Sequence, residues 1–80
     1  SVLSARSRVM LEVNVPESAL DSIVEVLPCM RHPTISPLFG ENAYAVKAAV
    51  PRAVLAELII KLKARGGSDI VVTKLAQIVI

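Results

Sequence analysis

The sequence predicts an α+β sandwich, in which a four-stranded antiparallel sheet is covered on one face by two helices. The main observation is a duplication: the Val15-Pro16 junction and the apolar helical stripe after it recur 35 residues later, from Val50-Pro51 onward. In each copy a strand-like segment precedes the junction, and another follows the helix. Two such units in 80 residues give the order β-α-β-β-α-β, which is that of the ferredoxin-like, split-βαβ fold.

Hydrophobic periodicity and proline positions predict the first unit. Residues 8–15 alternate between apolar and polar side chains, as a half-buried strand does. Pro16 suits the first turn of a helix, where no backbone N–H is needed, and Pro28 stops that helix. The next strand, residues 34–39, contains Pro37. Proline has no backbone N–H to donate to a neighbouring strand, so an edge strand or a bulged strand is predicted. The helical stripe consists of Leu20, Ile23, Val24 and Leu27.

The second unit repeats this pattern with a different ending. A strand is predicted over residues 43–50, and Pro51 opens a helix that runs to about Arg65. Gly66-Gly67 ends this helix, because glycine relieves the left-handed conformation common at a helix C-terminus. The fourth strand covers residues 69–73, and residues 76–80 form either a short final strand or a tail.

The chain length predicts one domain. We expect residues 1–7 to be a linker or leader and residues 8–80 to form the domain. Hydrophobic residues make up 54% of the chain and aromatic residues only 2%, so the apolar content is almost entirely aliphatic. This is more than a small two-layer core needs. Either a partner covers part of the apolar surface, or the aliphatic core is unusually dense.

Strand parity predicts a sheet face that the helices leave open. Small side chains in its middle strands leave room for a second protein surface or a small ligand; the alternative is an ordinary solvated face. The predicted helix-facing residues are Val9, Leu11, Val13, Ile35, Val46, Ala48, Ile70 and Val72. The predicted open-face residues are Met10, Glu12, Asn14, Thr34, Ser36, Ala45, Lys47, Ala49, Asp69, Val71 and Thr73.

Charge and composition argue against several classes of partner. The net charge of +2 is spread without a basic run, and the middle strands offer only Tyr44 for base stacking, so no nucleic-acid partner is predicted. The most apolar stretch, residues 43–62, is interrupted by four charged residues, so no membrane span is predicted. A single cysteine, Cys29, cannot form an internal disulfide, which favours a reducing, cytoplasmic location.

Catalytic chemistry is weakly represented in the chain. Both predicted helices begin with proline, which removes a backbone donor that a phosphate-binding loop needs. One cysteine and one histidine do not make a zinc site, so no metal is predicted in this domain. A small enzyme or electrophile binder that uses Cys29 and His32 is the remaining catalytic hypothesis, since a nucleophilic thiol needs a base beside it.

The segment from Met30 to Leu38 resembles a known family. It reads Met-Arg-His-Pro-Thr-Ile-Ser-Pro-Leu and is similar to the C-terminal regulatory domain of long-form ATP phosphoribosyltransferase, the first enzyme of histidine biosynthesis. The resemblance covers about residues 8–80. The other matching landmarks are Val9-Met10-Leu11, Asn14-Val15-Pro16, Leu20-Asp21, Leu27-Pro28, Ala45-Val46, Val50-Pro51, Leu62-Lys63-Ala64, Gly66 and Ser68-Asp69-Ile70-Val71-Val72.

The resemblance implies a regulatory role. In this family two N-terminal catalytic domains, similar to a periplasmic-binding-protein pair, condense ATP with phosphoribosyl pyrophosphate and use magnesium. Their phosphate-binding motif is missing here, so the resemblance implies no catalytic residue and no cofactor in this domain. The family's third domain binds L-histidine between neighbouring copies for feedback inhibition and helps dimers to assemble into hexamers. A structural oligomerisation module without ligand sensing is the alternative.

The family's histidine pocket, carried over by position, falls on six residues. The resemblance implies that Asn14 accepts a hydrogen bond from the ligand's ammonium or imidazole group, and that Thr34 donates to its carboxylate. Met30 and Ala49 would pack on the imidazole ring, and Asp69 would contribute mainly through backbone groups. The implied site residues are Asn14, Met30, Thr34, Ala49, Asp69 and Thr73.

Two positions depart from the family's pattern. Some members have a carboxylate where this chain has Asn14, and others have a different polar residue. Compared with a carboxylate, a neutral amide there loses an ion pair with the ligand's ammonium group. Relatives often have tryptophan where this chain has Ala43.

Overall fold

The sheet and its two helices follow the predicted βαββαβ order. The computed structural model describes residues 7–28 and 32–79. Its elements are β1 (Arg8–Pro16), α1 (Leu20–Val26), β2 (Thr34–Pro37), β3 (Ala43–Pro51), α2 (Leu55–Ala64) and β4 (Ser68–Lys74). The strands pair antiparallel in the order β2-β3-β1-β4, which is a ferredoxin-like arrangement and places Pro37 on an edge strand, as predicted. Residues 76–79 form no strand, so the tail is the correct one of the two predicted endings.

The duplication in the sequence is also a duplication in the structure. β1 and β3 begin 35 residues apart and end 35 residues apart, and α1 and α2 begin at the same offset. Glu12 and Lys47 are equivalent positions of the two repeats, and they are also register partners at the centre of the β1–β3 ladder. An internal two-fold axis therefore passes through the sheet between these two residues.

The two Val-Pro junctions differ from the prediction. Pro16 and Pro51 do not open helices; each is the last residue of its strand, with ψ angles of 151° and 132°. A short 3₁₀ turn follows each proline, at Glu17–Ala19 and Arg52–Val54, before the α-helix begins. The reason is that proline fixes only φ near −65°, which suits an extended residue as well as a helical one.

The core lies between the sheet and the two helices. Ile35 and Val72 were predicted to face the helices, yet they are 41% and 40% exposed because they lie on the two outer strands. The prediction is therefore fully correct for the central strands and only partly correct for the outer ones. The buried core residues are Val9, Leu11, Val13, Val15, Ile23, Leu27, Val46, Ala48, Val50, Leu58 and Leu62.

A β-bulge interrupts the ladder between β1 and β4. Glu12 pairs with Val71 and Asn14 pairs with Ser68, so Asp69 and the following residue both lie opposite Val13. Asp69 has a φ of 50° and is the one residue other than glycine with a positive φ in the described ranges. A residue in this left-handed conformation is typical of one class of bulge, in which it is usually glycine.

A Schellman motif ends α2 at the predicted glycines. Gly66 has a φ of 99°, its N–H donates to the carbonyl of Lys63 at 3.2 Å, and the N–H of Gly67 donates to the carbonyl of Leu62 at 2.8 Å. These two hydrogen bonds satisfy carbonyl groups that the helix end would otherwise leave unpaired. The motif also brings Gly67 close to the sheet, because a Cβ atom there would lie 2.9 Å from a methyl group of Val13.

Gly67→Ala is expected to lower the free energy of unfolding by about 1–3 kcal/mol, as overpacking does. The added Cβ would meet both the Leu62 carbonyl oxygen and the Val13 side chain at 2.9 Å, and neither is the end of a flexible chain. Urea denaturation followed by circular dichroism measures the change. Lys63→Ala, at an exposed position of the last helical turn, is the control and should change stability little. If Gly67→Ala leaves the urea midpoint of unfolding unchanged, Gly67 does not pack as closely against Val13 and Leu62 as the structure indicates.

Candidate functional site

The sheet face opposite the helices, called the open face below, carries the side chains that strand parity predicted. Register partners on neighbouring strands point to the same side of a sheet, so side chains line up in rows across it. The middle row, from β2 to β4, is Thr34, Lys47, Glu12 and Val71; one flanking row is Ser36, Ala45, Asn14 and Ser68, and the other is Ala49, Met10 and Thr73.

A cavity of about 220 Å³ opens where β1 ends and β3 begins. At its rim the amide nitrogen Nδ2 of Asn14 donates to Oδ2 of Asp69 at 3.4 Å. The hydroxyl of Ser68 donates to the same oxygen at 3.5 Å. We call these three residues the Asn14 corner. The other lining residues are Val15, Pro16, Leu38, Glu41 and Ala43.

Backbone hydrogen bonds fix the wall of this cavity. The N–H of Glu17 donates to the carbonyl of Asn42 at 3.0 Å, and the N–H of Leu38 donates to the carbonyl of Ala43 at 2.9 Å. The first bond ties the β2–β3 connection to the residue that follows β1, and the second closes the connection between β2 and β3. Ala43 contributes only a methyl group to the lining.

The described residues that line the cavity carry charge of one sign. They include the carboxylates of Glu41 and Asp69, and none of them is a lysine or arginine. Opposite charges attract more strongly near a low-dielectric wall than in bulk water. The cavity therefore favours a cationic group of a ligand over an anionic one.

Two of the predicted site residues lie at the other end of the open face. Ala49 and Thr73 are both register partners of Met10, and we call these three residues the Ala49 corner. Met10 lies four residues from Asn14 along β1, a distance of about 13 Å at the rise of a β-strand. Ala49 is the repeat equivalent of Asn14, so the internal two-fold relates one polar and one apolar position.

Thr34 lies between the two corners, on the outer strand β2. It lines a separate shallow depression of about 190 Å³ together with Glu12, Ser36 and Lys47. The structure thus brings Asn14 together with Asp69, and it places Ala49 and Thr73 around Met10. It does not bring these two pairs together within one chain, whereas Thr34 lies diagonally across from Ala49 on the adjacent strand. Met30 lies outside the described residues.

Sequence reasoning missed part of the Asn14 corner. It expected Asp69 to contribute mainly through backbone groups and did not foresee that its carboxylate accepts a hydrogen bond from Asn14. It also missed Ser68 and Glu41 as lining residues. The bulge that turns Asp69 toward Asn14 depends on the β1–β4 register, which no local pattern shows.

Other function classes find little support in the described part of the chain. His32 is exposed, and Cys29 lies outside the described residues. Residues 7–28 and 32–79 contain no group of three or more His, Cys, Asp or Glu side chains able to hold a metal ion. In the same ranges, neither helix has the length and apolar character needed to span a bilayer.

Comparison with known proteins supports the resemblance stated above. Residues 5–77 match the family described as HisG, C-terminal domain. The chain is 42% identical over 79 residues to an ATP phosphoribosyltransferase of Haloarcula marismortui, covering 99% of this chain and 28% of that protein. It is 38% identical over 77 residues to an ATP phosphoribosyltransferase of Pyrobaculum aerophilum, covering 96% of this chain. The chain spans 27% of the length of that relative.

Proposed function

The chain belongs to the family of HisG C-terminal domains, and we propose that it is the allosteric regulatory domain of an ATP phosphoribosyltransferase. In this proposal it binds L-histidine at sites between subunits on the open face and mediates feedback inhibition. It also contributes to a homo-oligomer, from dimer to hexamer. The ATP phosphoribosyltransferase relatives are the basis for the reaction, and this chain covers only 27–28% of their length.

The division of the implied site into two corners is the observation that carries this proposal. About 13 Å of strand separates the Asn14 and Ala49 corners on one chain, and a free amino acid is too short to reach both. A second copy placed against the open face can present its Ala49 corner to the Asn14 corner of the first. Symmetric oligomers make such contacts reciprocally, so each interface contains equivalent sites.

The side chains supply the groups that an amino acid needs. The polar Asn14 corner of one copy can receive the ammonium group, and the Thr34 hydroxyl of the neighbouring copy, which lies beside its own Ala49, can donate to the carboxylate. The methyl group of Ala49 leaves a flat surface on which an imidazole ring can pack. Histidine would then bind more tightly to the quaternary arrangement in which the Asn14 corner of one copy meets the Ala49 corner of the next. This difference in affinity would shift the oligomer population toward that arrangement. Coupling of this kind is typically about 1–3 kcal/mol.

Catalysis lies outside this domain in the proposal. Condensation of ATP with phosphoribosyl pyrophosphate, and the magnesium it uses, belong to the N-terminal catalytic domains of the proposed enzyme. We place this enzyme in the cytoplasm, because a single cysteine cannot form an internal disulfide and suits a reducing compartment. No step is assigned to a metal in residues 7–28 and 32–79, because their acidic residues form no cluster that fits one.

Calorimetric titration of the whole enzyme with L-histidine tests the proposal. We expect saturable heat and a parallel loss of transferase activity. D-Histidine is the matched control, since it has the same groups with the opposite handedness. No heat at millimolar L-histidine, together with unchanged activity, would contradict the sensing role.

Thr34→Ala is expected to weaken inhibition by L-histidine by about 1 kcal/mol or more, which is the typical loss of a hydrogen bond to a charged group. Inhibition constants of the whole enzyme measure the effect. Ser36→Ala is the matched control, because Ser36 lies two residues along the same strand and lines the same depression. An unchanged constant for Thr34→Ala would show that this hydroxyl does not contact the ligand.

A structural oligomerisation module without ligand sensing is the second candidate. The observation that favours it is that Asn14 and Thr34 line different depressions within one chain. Val71, which is 52% exposed in the middle row of the open face, also provides apolar surface for association. Light scattering combined with the calorimetric titration separates the candidates, since this one predicts an intact oligomer that gives no heat with L-histidine.

A further inference from the structure

We infer that the Asp69 carboxylate is the group that binds the α-ammonium of the ligand in this chain, and that Asn14 positions it. This inference rests on the proposed function and assigns a specificity-determining residue within its site.

The hydrogen bonds of Asp69 leave one carboxylate oxygen for a ligand. Oδ2 accepts from Nδ2 of Asn14 at 3.4 Å and from the hydroxyl of Ser68 at 3.5 Å. Within the described residues, no hydrogen bond reaches the second oxygen, Oδ1. Asp69 is exposed and lines the cavity, so an incoming ammonium group has access to Oδ1. Charge-assisted hydrogen bonds of this kind are stronger than those between neutral groups.

The backbone fixes where the carboxylate points. Asp69 lies in the bulge with a φ of 50°, a conformation that asparagine and aspartate tolerate better than other side chains except glycine. A side chain on a bulge is aimed differently from one in a regular ladder. Here the bulge places the Asp69 carboxylate within hydrogen-bond distance of the Asn14 side chain on β1.

The pairing with Asn14 explains why position 14 is an amide in this chain. A carboxylate there would lie within hydrogen-bond distance of Asp69, and two carboxylates so close repel each other. An amide instead donates to Asp69 and keeps its own carbonyl oxygen as an acceptor. Asn14 and Asp69 together therefore provide one full negative charge and one further acceptor.

The ammonium group fits this pair better than the imidazole ring does. Imidazole has an ordinary pKa near 6.5, so at pH 7.5 it is mostly neutral, whereas the ammonium group of an amino acid is mostly charged. Glu41 adds a second negative charge to the cavity wall, and no lysine or arginine of residues 7–28 and 32–79 lines it. The imidazole ring is then left for the small, apolar Ala49 corner of the neighbouring copy.

Asp69→Asn in the whole enzyme tests the assignment. Asparagine tolerates the left-handed backbone, so the variant keeps the bulge, whereas alanine would strain it. Three ligands are titrated by calorimetry: L-histidine, L-histidinol, which lacks the carboxylate, and imidazole-4-propionate, which lacks the ammonium group. We expect Asp69→Asn to bind L-histidine and L-histidinol roughly tenfold or more weakly, with imidazole-4-propionate unchanged.

Two control variants separate a direct contact from other effects. Glu41→Gln removes the second carboxylate of the cavity and should cost less than Asp69→Asn. Asp21→Asn removes an exposed carboxylate on α1, on the helical side of the sheet, and should change nothing. Equal losses in Glu41→Gln and Asp69→Asn would overturn the assignment in favour of a general field effect.

The remaining outcomes also decide the question. An equal loss for all three ligands would show that Asp69 contacts the imidazole ring or holds the pocket, and would overturn the inference. Full affinity of Asp69→Asn for L-histidine would do the same while leaving the proposed function intact. If the unmodified enzyme binds no L-histidine, the proposed function fails, and this inference fails with it.

Discussion

Leu58→Ala is expected to lower the free energy of unfolding by about 2–5 kcal/mol, the range for a buried leucine. Leu58 is 3% exposed and projects from α2 into the core. An 80-residue domain has little stability in reserve, because a small fold buries a smaller share of its surface than a large one. The melting temperature should therefore fall strongly, even without a ligand, and thermal unfolding followed by circular dichroism measures it.

Ile60→Ala is the matched control for this substitution. Ile60 lies on the same helix and is 70% exposed, so removing its side chain leaves no cavity. We expect its unfolding free energy to stay within about 0.5 kcal/mol of the unmodified protein. Equal melting temperatures for the two variants would contradict the core described above.

Ala49→Trp is expected to abolish inhibition by L-histidine, with a loss of affinity of about a hundredfold or 2.8 kcal/mol. Ala49 is half-buried in the row with Met10 and Thr73, and an indole there would fill the space proposed for the imidazole ring. The substitution points away from the core, so the melting temperature should change little. Inhibition constants and thermal unfolding of the same samples check both expectations.

Ala56→Trp provides the comparison for Ala49→Trp. Ala56 is an exposed alanine on α2, on the opposite side of the sheet from the proposed site. The same increase in size there should leave inhibition by L-histidine unchanged. If both variants keep normal inhibition, the Ala49 corner is not part of the histidine site.

The duplication made most of the fold predictable from the sequence. Because the second unit repeats the first at a constant offset, recognising one Val-Pro junction located the other, and the strand and helix order followed. Parity along β1 and β3 then correctly divided the core face from the open face. The prolines misled only at the junctions, since proline fixes φ and leaves ψ to the neighbouring structure.

The geometry of the candidate site was less predictable, for physical reasons. Which residues meet across a sheet depends on register, and the bulge at Asp69 shifts the β1–β4 register in a way that no local pattern reveals. The resemblance implied that Asn14 and Ala49 belong to a histidine pocket between neighbouring copies, and one chain holds them at opposite ends of the open face. The proposed site therefore needs a second chain, and hydrophobic periodicity within one chain does not predict where another chain binds.

Mixed oligomers test most directly the proposed sharing of the histidine site between two copies. Asn14→Leu removes the polar group of one corner, and Ala49→Trp blocks the other, so each variant alone should lose inhibition by L-histidine. In oligomers co-assembled from both variants, an Ala49→Trp copy offers an intact Asn14 corner to an intact Ala49 corner of an Asn14→Leu copy. With equal mixing, about one site in four should be restored.

We predict that the co-assembled enzyme binds a measurable number of histidine molecules per subunit, whereas each variant alone binds none. Complete absence of histidine binding from co-assembled oligomers of normal size would contradict the shared site.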